Sequence, residues 1–167
     1  PEKLCGEHLS AGALPLLERL DVLETLRSAG ASEVRDVRIT APSGAGFTAT
    51  LDPPELSLSR RLLDGTLIEA ERRAGATARD DTLVERMSGD RDEGFELRTS
   101  RGPVRARLVL GAWGKRSRLD GRLGRPFVRT SPANVAFQVH ARGAASEGRV
   151  ELHSFRGGYC GIGRVEN

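Results

Sequence analysis

The chain of 167 residues is 38% hydrophobic and 29% charged with a net charge of +3, which describes one soluble globular domain with enough length for a real core. Its 26 basic and 23 acidic residues are interspersed, so the calculated pI of about 9.4 makes no case for a nucleic-acid partner. No apolar run approaches a membrane span and no signal pattern opens the chain, so no transmembrane segment is expected and the expected location is cytoplasmic.

Pro1 to Leu9 shows no periodicity and reads as a loop. Ser10 is placed to cap a helix with apolar positions Leu16, Leu20, Leu23 and Leu26, which Asp21 divides and Gly30 ends. Val34–Ile39 and Gly46–Leu51 read as two strands of a hairpin, with Asp52-Pro53-Pro54 as a breaker. Ser59 then caps a helix from Arg60 to about Ala74, buried along Leu63, Leu67, Ala70 and Ala74 and stopped by Gly75. A strand is expected from about Thr77 to Met87, followed by a polar turn through Asp90 and Gly94. Phe95–Thr99 pairs with Val104–Leu110 across Ser100–Pro103. Arg118–Thr130 is basic and reads as irregular. Ala133–Arg142, Arg149–Phe155 and Tyr159–Val165 read as three antiparallel strands.

The stretch from Val104 to Ser117 carries the clearest candidate site. It alternates, becomes apolar through Leu108, Val109 and Leu110, and then breaks at Gly111-Ala112-Trp113-Gly114. An apolar strand end running into glycines suits a parallel sheet, whose ligands lie beyond the carboxyl ends of its strands. The same residues also suit an ordinary tight turn.

Two cysteines, Cys5 and Cys160, form no disulfide framework. The chain starts at Pro1, its one methionine is Met87, and it stops just after a strand-like segment. An internal piece of a longer protein is therefore expected, with segments missing on both sides.

Four separated segments resemble one family. Lys3-Leu4-Cys5-Gly6 is similar to the Lys-x-Cys-Gly motif of flavin-dependent reductases of the geranylgeranyl reductase type. Ser59-Arg60-x-x-Leu63-Asp64-x-x-Leu67 resembles the helix that follows in them. Gly111-Ala112-Trp113-Gly114-x-x-Ser117 resembles their second flavin-contact loop, Gly-Ala-Asp-Gly-x-x-Ser. Val150–His153 and Gly157–Gly161 with Val165-Glu166 resemble the strands of a bacterial subgroup. The resemblance implies an incomplete α/β (α+β) fold like that of para-hydroxybenzoate hydroxylase. Residues 1–120 would belong to its FAD-binding domain and residues 121–167 to an antiparallel sheet covering the substrate. It further implies FAD as cofactor and NAD(P)H as electron donor. The reaction implied is double-bond reduction in a small hydrophobic, prenyl-like substrate, with peripheral membrane contact compatible. The family's Gly-x-Gly-x-x-Gly fingerprint is absent, and Trp113 stands where the family has Asp. The chain alone is thus expected to be inactive.

On that resemblance Lys3, Cys5, Gly6, Arg60, Gly111, Ala112, Trp113, Gly114 and Ser117 are the cofactor-binding candidates. Arg60 lies in the first turn of a helix, where a cation gains nothing from the helix dipole, so a functional placement competes with simple solvation. Strand parity puts Glu151, His153 and Phe155 on one face, and Gln138 with His140 on another strand's face. His140, Glu151, His153 and Tyr159 are candidates for lining a substrate cavity, and an ordinary solvated face is the alternative. Their spacing matches no zinc signature, so no metal is expected. No general acid or base is singled out. A flavin monooxygenase or halogenase-type enzyme shares the implied fold, and a non-catalytic small-molecule-binding module remains the rival outside enzymology.

Overall fold

The computed structural model describes residues 7–114, 117–129, 134–143 and 146–166. The chain divides into two compact units, one of Pro1–Ala78 with Ala136–Asn167 and one of Arg79–Val135. These units are set by contact, whereas the expected division at residue 120 was one of role.

In the first unit, Leu14–Arg19 forms α1 and Leu23–Ser28 forms α2, after a single 3-10 turn over Ala11–Ala13. Asp21 separates them in the left-handed region at φ 54°, and Gly30 ends α2 at φ 99°. Both are breaks that an acidic side chain and a glycine tolerate better than other residues. Ser10 makes no side-chain cap. α3 spans Arg60–Arg73, with the Ser59 hydroxyl accepting from the Leu62 N–H at 3.2 Å.

Five strands make the sheet of this unit: β1 (His8–Leu9), β2 (Ser32–Thr40), β3 (Gly46–Ser57), β7 (Arg149–Phe155) and β8 (Gly158–Ile162), in the order β1-β3-β2-β7-β8. β3 does not stop at Asp52. The pairing jumps from Asp36–Thr50 to Val34–Glu55, so the prolines fall in a bulge where no ladder N–H is required. β7 pairs antiparallel with β8 but parallel with β2, which corrects the purely antiparallel arrangement expected for this end. Leu17, Val22, Leu23, Leu26, Leu56, Leu58 and Leu63 form the core, where α1, α2 and α3 meet the end of β3.

The second unit holds a three-stranded antiparallel sheet of β4 (Val84–Asp90), β5 (Gly94–Thr99) and β6 (Gly102–Ala106). β4 starts seven residues later than expected because Asp80 and Asp81 turn the chain, Asp81 at φ 50°. The polar turn at Asp90 forms as expected, its carboxylate accepting from the N–H groups of Asp92 and Glu93, each at 2.9 Å. Phe95 pairs with Ala106 and Thr99 with Gly102, but β6 ends there. Leu108 and Leu110 are exposed, Leu110 at 84%. β6 is the edge of its sheet, so no parallel neighbour covers the apolar run. Ser117 caps a short α4 (Arg118–Arg122), and a 3-10 turn follows over Pro126–Arg129. This stretch is therefore helical in part, not irregular.

The strand expected at Ala133–Arg142 does not form among its described residues, and Phe137 is 93% exposed. Alternating Val135, Phe137 and Val139 suit a strand, but a strand also needs a partner's backbone.

Candidate functional site

The sheet of the first unit has two chemically different faces. Register puts Asp36, Arg38 and Thr40 of β2 beside Arg149, Glu151 and His153 of β7, with Thr48 and Thr50 on β3 and Cys160 opposite His153 on β8. The other face carries Phe47, Ile39 and Leu152 in one row and Ala49, Val37 and Val150 in the next. In each row a period-2 strand presents alternate residues to alternate faces.

Polar side chains on the first face are hydrogen-bonded into a chain. Thr40 Oγ1 lies 2.8 Å from His153 Nδ1, and His153 Nε2 lies 3.1 Å from Glu151 Oε2. Ser146 Oγ donates to the other oxygen of Glu151 at 2.7 Å. The Ser146 hydrogen bond holds the Glu151 carboxyl below the ordinary carboxylate range against the opposing effect of burial, with smaller help from His153 and Arg38. Beside this chain, Thr50 donates to Asp36 at 3.1 Å, and Asp36 faces Arg149 at 3.8 Å.

Of the substrate-lining candidates, Glu151 and His153 come together. Tyr159 does not join them. It pairs with Ser154, which places it on the apolar face, 70% exposed. His140 is held by Glu7 at 2.7 Å. The Glu7 carbonyl accepts from Leu58 N–H, so His140 is tied near one end of β3, whereas Thr40 and His153 stand across from Gly46 at the other end. Thr40 and Ser146 carried no sequence signal, because Thr40 lies 113 positions from its partner His153.

Among the cofactor candidates, Lys3, Cys5 and Gly6 lie outside the described residues. Arg60 belongs to the first unit and pairs with Asp64, one turn on, at 2.8 Å. That ion pair satisfies part of a cation placed against the dipole. An open groove of about 610 Å³ runs along α3 past Arg61, Leu62, Thr66, Arg73 and Glu166. In the second unit the Trp113 indole folds over Gly111: a Cβ at Gly111 would lie 2.5 Å from its ring carbon. Gly111 is therefore required for the tryptophan's own ring, which covers that stretch of backbone. Gly114, at φ 72°, has open space beside it, and the Ser117 hydroxyl accepts from Leu119 N–H at 3.1 Å. The residues fit close backbone approach at Gly114, with Trp113 closing the Gly111 side.

Among the described residues no group of three or more His, Cys, Asp or Glu side chains is placed to hold a metal ion. None of their helices is long and apolar enough to cross a membrane.

No protein-family model and no curated protein matches the chain. Solved structures do. A mutant of PqsL from P. aeruginosa superposes over 100% of this chain with a TM-score of 0.73 and 16% sequence identity. The p-nitrophenol 4-monooxygenase PnpA from Pseudomonas putida DLL-E4 covers 59% of this chain with a TM-score of 0.49 and 18% identity. The tetracycline destructase Tet(55) covers 61% at 0.42 and 17%. The superposition on PqsL shows that this chain shares the mixed α/β fold of the corresponding part of that protein. This chain spans 48% of PqsL, 28% of PnpA and 26% of Tet(55).

Proposed function

We propose that this chain is part of an FAD-dependent oxidoreductase acting on a small hydrophobic molecule, with oxygen insertion as the reaction. The supporting observation is the superposition of the whole chain on PqsL, a flavin monooxygenase. When bound, the flavin supplies the redox chemistry, and the protein's part is to orient, exclude water and place charge. In this reading the motif resemblance makes Arg60, Gly111, Ala112, Trp113, Gly114, Ser117 and the Lys3-Leu4-Cys5-Gly6 motif the cofactor-binding candidates, and NAD(P)H delivers the electrons. The apolar row of Phe47, Ile39 and Leu152 suits a hydrophobic substrate, and Tyr159 shares its face. The protein works in the cytoplasm, with peripheral membrane contact where the substrate is lipid-like.

A second reading, double-bond reduction of a prenyl chain in a para-hydroxybenzoate hydroxylase-like frame, draws its support from the Lys3–Gly6, Ser59–Leu67 and Gly111–Ser117 motifs. One experiment separates these. The complete gene product is purified, its visible spectrum recorded, and NADH and NADPH consumption followed with and without oxygen. Oxygen-dependent consumption, with labelled oxygen appearing in a hydrophobic acceptor, supports monooxygenation. Consumption that proceeds anaerobically with a prenyl acceptor supports reduction. A colourless product that gains no flavin signal on adding FAD sinks both readings and leaves a binding module.

A further inference from the structure

α3 carries a glycine near its middle, the residue that costs a helix interior most after proline. Beyond its own helix backbone, no atom lies within 4 Å of the position a Cβ would take at Gly65. Nothing among the described residues therefore requires a glycine there for space. Gly65 is exposed and lines the groove that runs along α3.

The side chains around Gly65 are arranged in complementary pairs. Arg61 stands one turn before it and Glu69 one turn after it, and both line the groove and are exposed. Leu62 and Ile68 stand three positions away on either side. Leu62 lines the groove, and Ile68 is 37% exposed. Positions three and four apart share a helix face, so these five residues form one patch. Turned end for end about Gly65, the patch matches itself: each cation meets an anion, each apolar side chain meets an apolar one, and glycine meets glycine.

We infer that this patch is a self-association face, on which a second copy of the chain seats its own α3 antiparallel about a two-fold axis at Gly65. A two-fold interface makes each contact twice, so two Arg61–Glu69 pairs and two Leu62–Ile68 contacts form across it. Glycine at the crossing lets the two backbones approach closely, the role small residues play where helices meet. Glu69 already accepts from Arg72 at 2.6 Å, its own side chain 60% exposed. A carboxylate has about four acceptor sites, so Glu69 takes Arg61 of the second copy as well. A near-antiparallel seating also brings Arg73, the last residue of α3, to the end of the groove where Ser59 holds Glu166. One helix face is at the small end of the range for specific interfaces, so the dimer is expected to form at micromolar concentration.

The test is sedimentation equilibrium of the complete gene product across the micromolar range. The expected result is a monomer–dimer equilibrium. Arg61→Glu and Glu69→Arg each put like charges at both pairs, and each is expected to weaken the dimer at least tenfold. Mixed in equal amounts, the two variants are expected to recover dimers of wild-type strength, because every contact between them again joins an acid to a base. Gly65→Ala is expected to raise the melting temperature, since alanine is the better helix former, while its Cβ at the crossing loosens the dimer several-fold. A product that stays monomeric overturns the inference. So does a dimer that all three substitutions leave unchanged, or one that the mixture fails to restore. None of the three residues is a cofactor candidate, so the flavin reading stands or falls separately, on the spectrum of the complete product.

Discussion

Ser59 and Glu166, 107 positions apart, meet at a single carboxylate oxygen: Glu166 Oε1 accepts from the Ser59 hydroxyl at 2.6 Å and from its N–H at 3.0 Å. The same hydroxyl accepts from Leu62 N–H at the first turn of α3. The negative side chain also sits at the positive end of the helix, where it is favoured. The segment after β8 is thereby pinned to the start of α3.

Ser59→Ala removes the cap and one of the two bonds to Glu166. Loss of an N-cap hydroxyl costs about 0.5–2 kcal/mol, and burial of Ser59 places this case at the upper end. Chemical denaturation is expected to show that loss, and Glu166→Ala a smaller one. Equal stability of both variants with wild type removes the strut from the account.

Leu26 is fully buried among Leu17, Val22, Leu58 and Leu63. Leu26→Ala leaves a cavity where three helices meet a strand end, at a cost of about 2–5 kcal/mol. The denaturation midpoint of the first unit is expected to fall accordingly. A change under about 1 kcal/mol, the level of a well-accommodated swap, would show that this core is not the one that holds the unit.

Acid should weaken the first unit through Glu151. Its carboxyl titrates lower in the folded chain than in the unfolded one, because Ser146 and His153 bind the charged form. The unfolded chain then takes up its proton first as pH falls, so stability is fully present above about pH 4.5 and declines through the lower folded value. Glu151→Gln is expected to flatten that part of the profile of melting temperature against pH. Asp90, lowered by the N–H groups of Glu93 and Asp92, adds a slope of the same sign in the second unit. Amide exchange at residues 92 and 93 is expected to speed up in Asp90→Ala.

Trp113 is the one tryptophan of the chain, and its ring covers Gly111. Trp113→Ala uncovers that backbone, so FAD titrated into the complete protein is expected to bind more tightly by several-fold. In the wild type, FAD binding is expected to change tryptophan fluorescence. Unaltered affinity in the variant, together with unaltered fluorescence in the wild type, places the cofactor away from this loop.

Much of the architecture was readable residue by residue. The α3 cap at Ser59, the break between α1 and α2 at Asp21, the turn at Asp90 and the pairing of Phe95–Thr99 with the strand after Gly102 are all local. Each depends on a hydrogen bond or a dihedral angle within a few positions, which short stretches of sequence specify. The fates of Val104–Leu110 and Ala133–Arg142 were not readable. Their apolar patterns describe strands, yet pairing needs a neighbour, and among their described residues only β6, as far as Ala106, has one.

The candidate site divides the same way. Alternation along β7 was enough to put Glu151 and His153 on one face, because a strand's period is a property of its backbone. Whether Tyr159 joined them depended on the register of β8, and a shift of one residue would have reversed its face. Thr40 and Ser146 became partners of that pair only because β2 lies parallel to β7 and the turn before β7 folds back. Local residue chemistry sets caps, turns and faces. Pairing between distant segments sets which faces meet, since it depends on loop closure and burial summed over the whole chain.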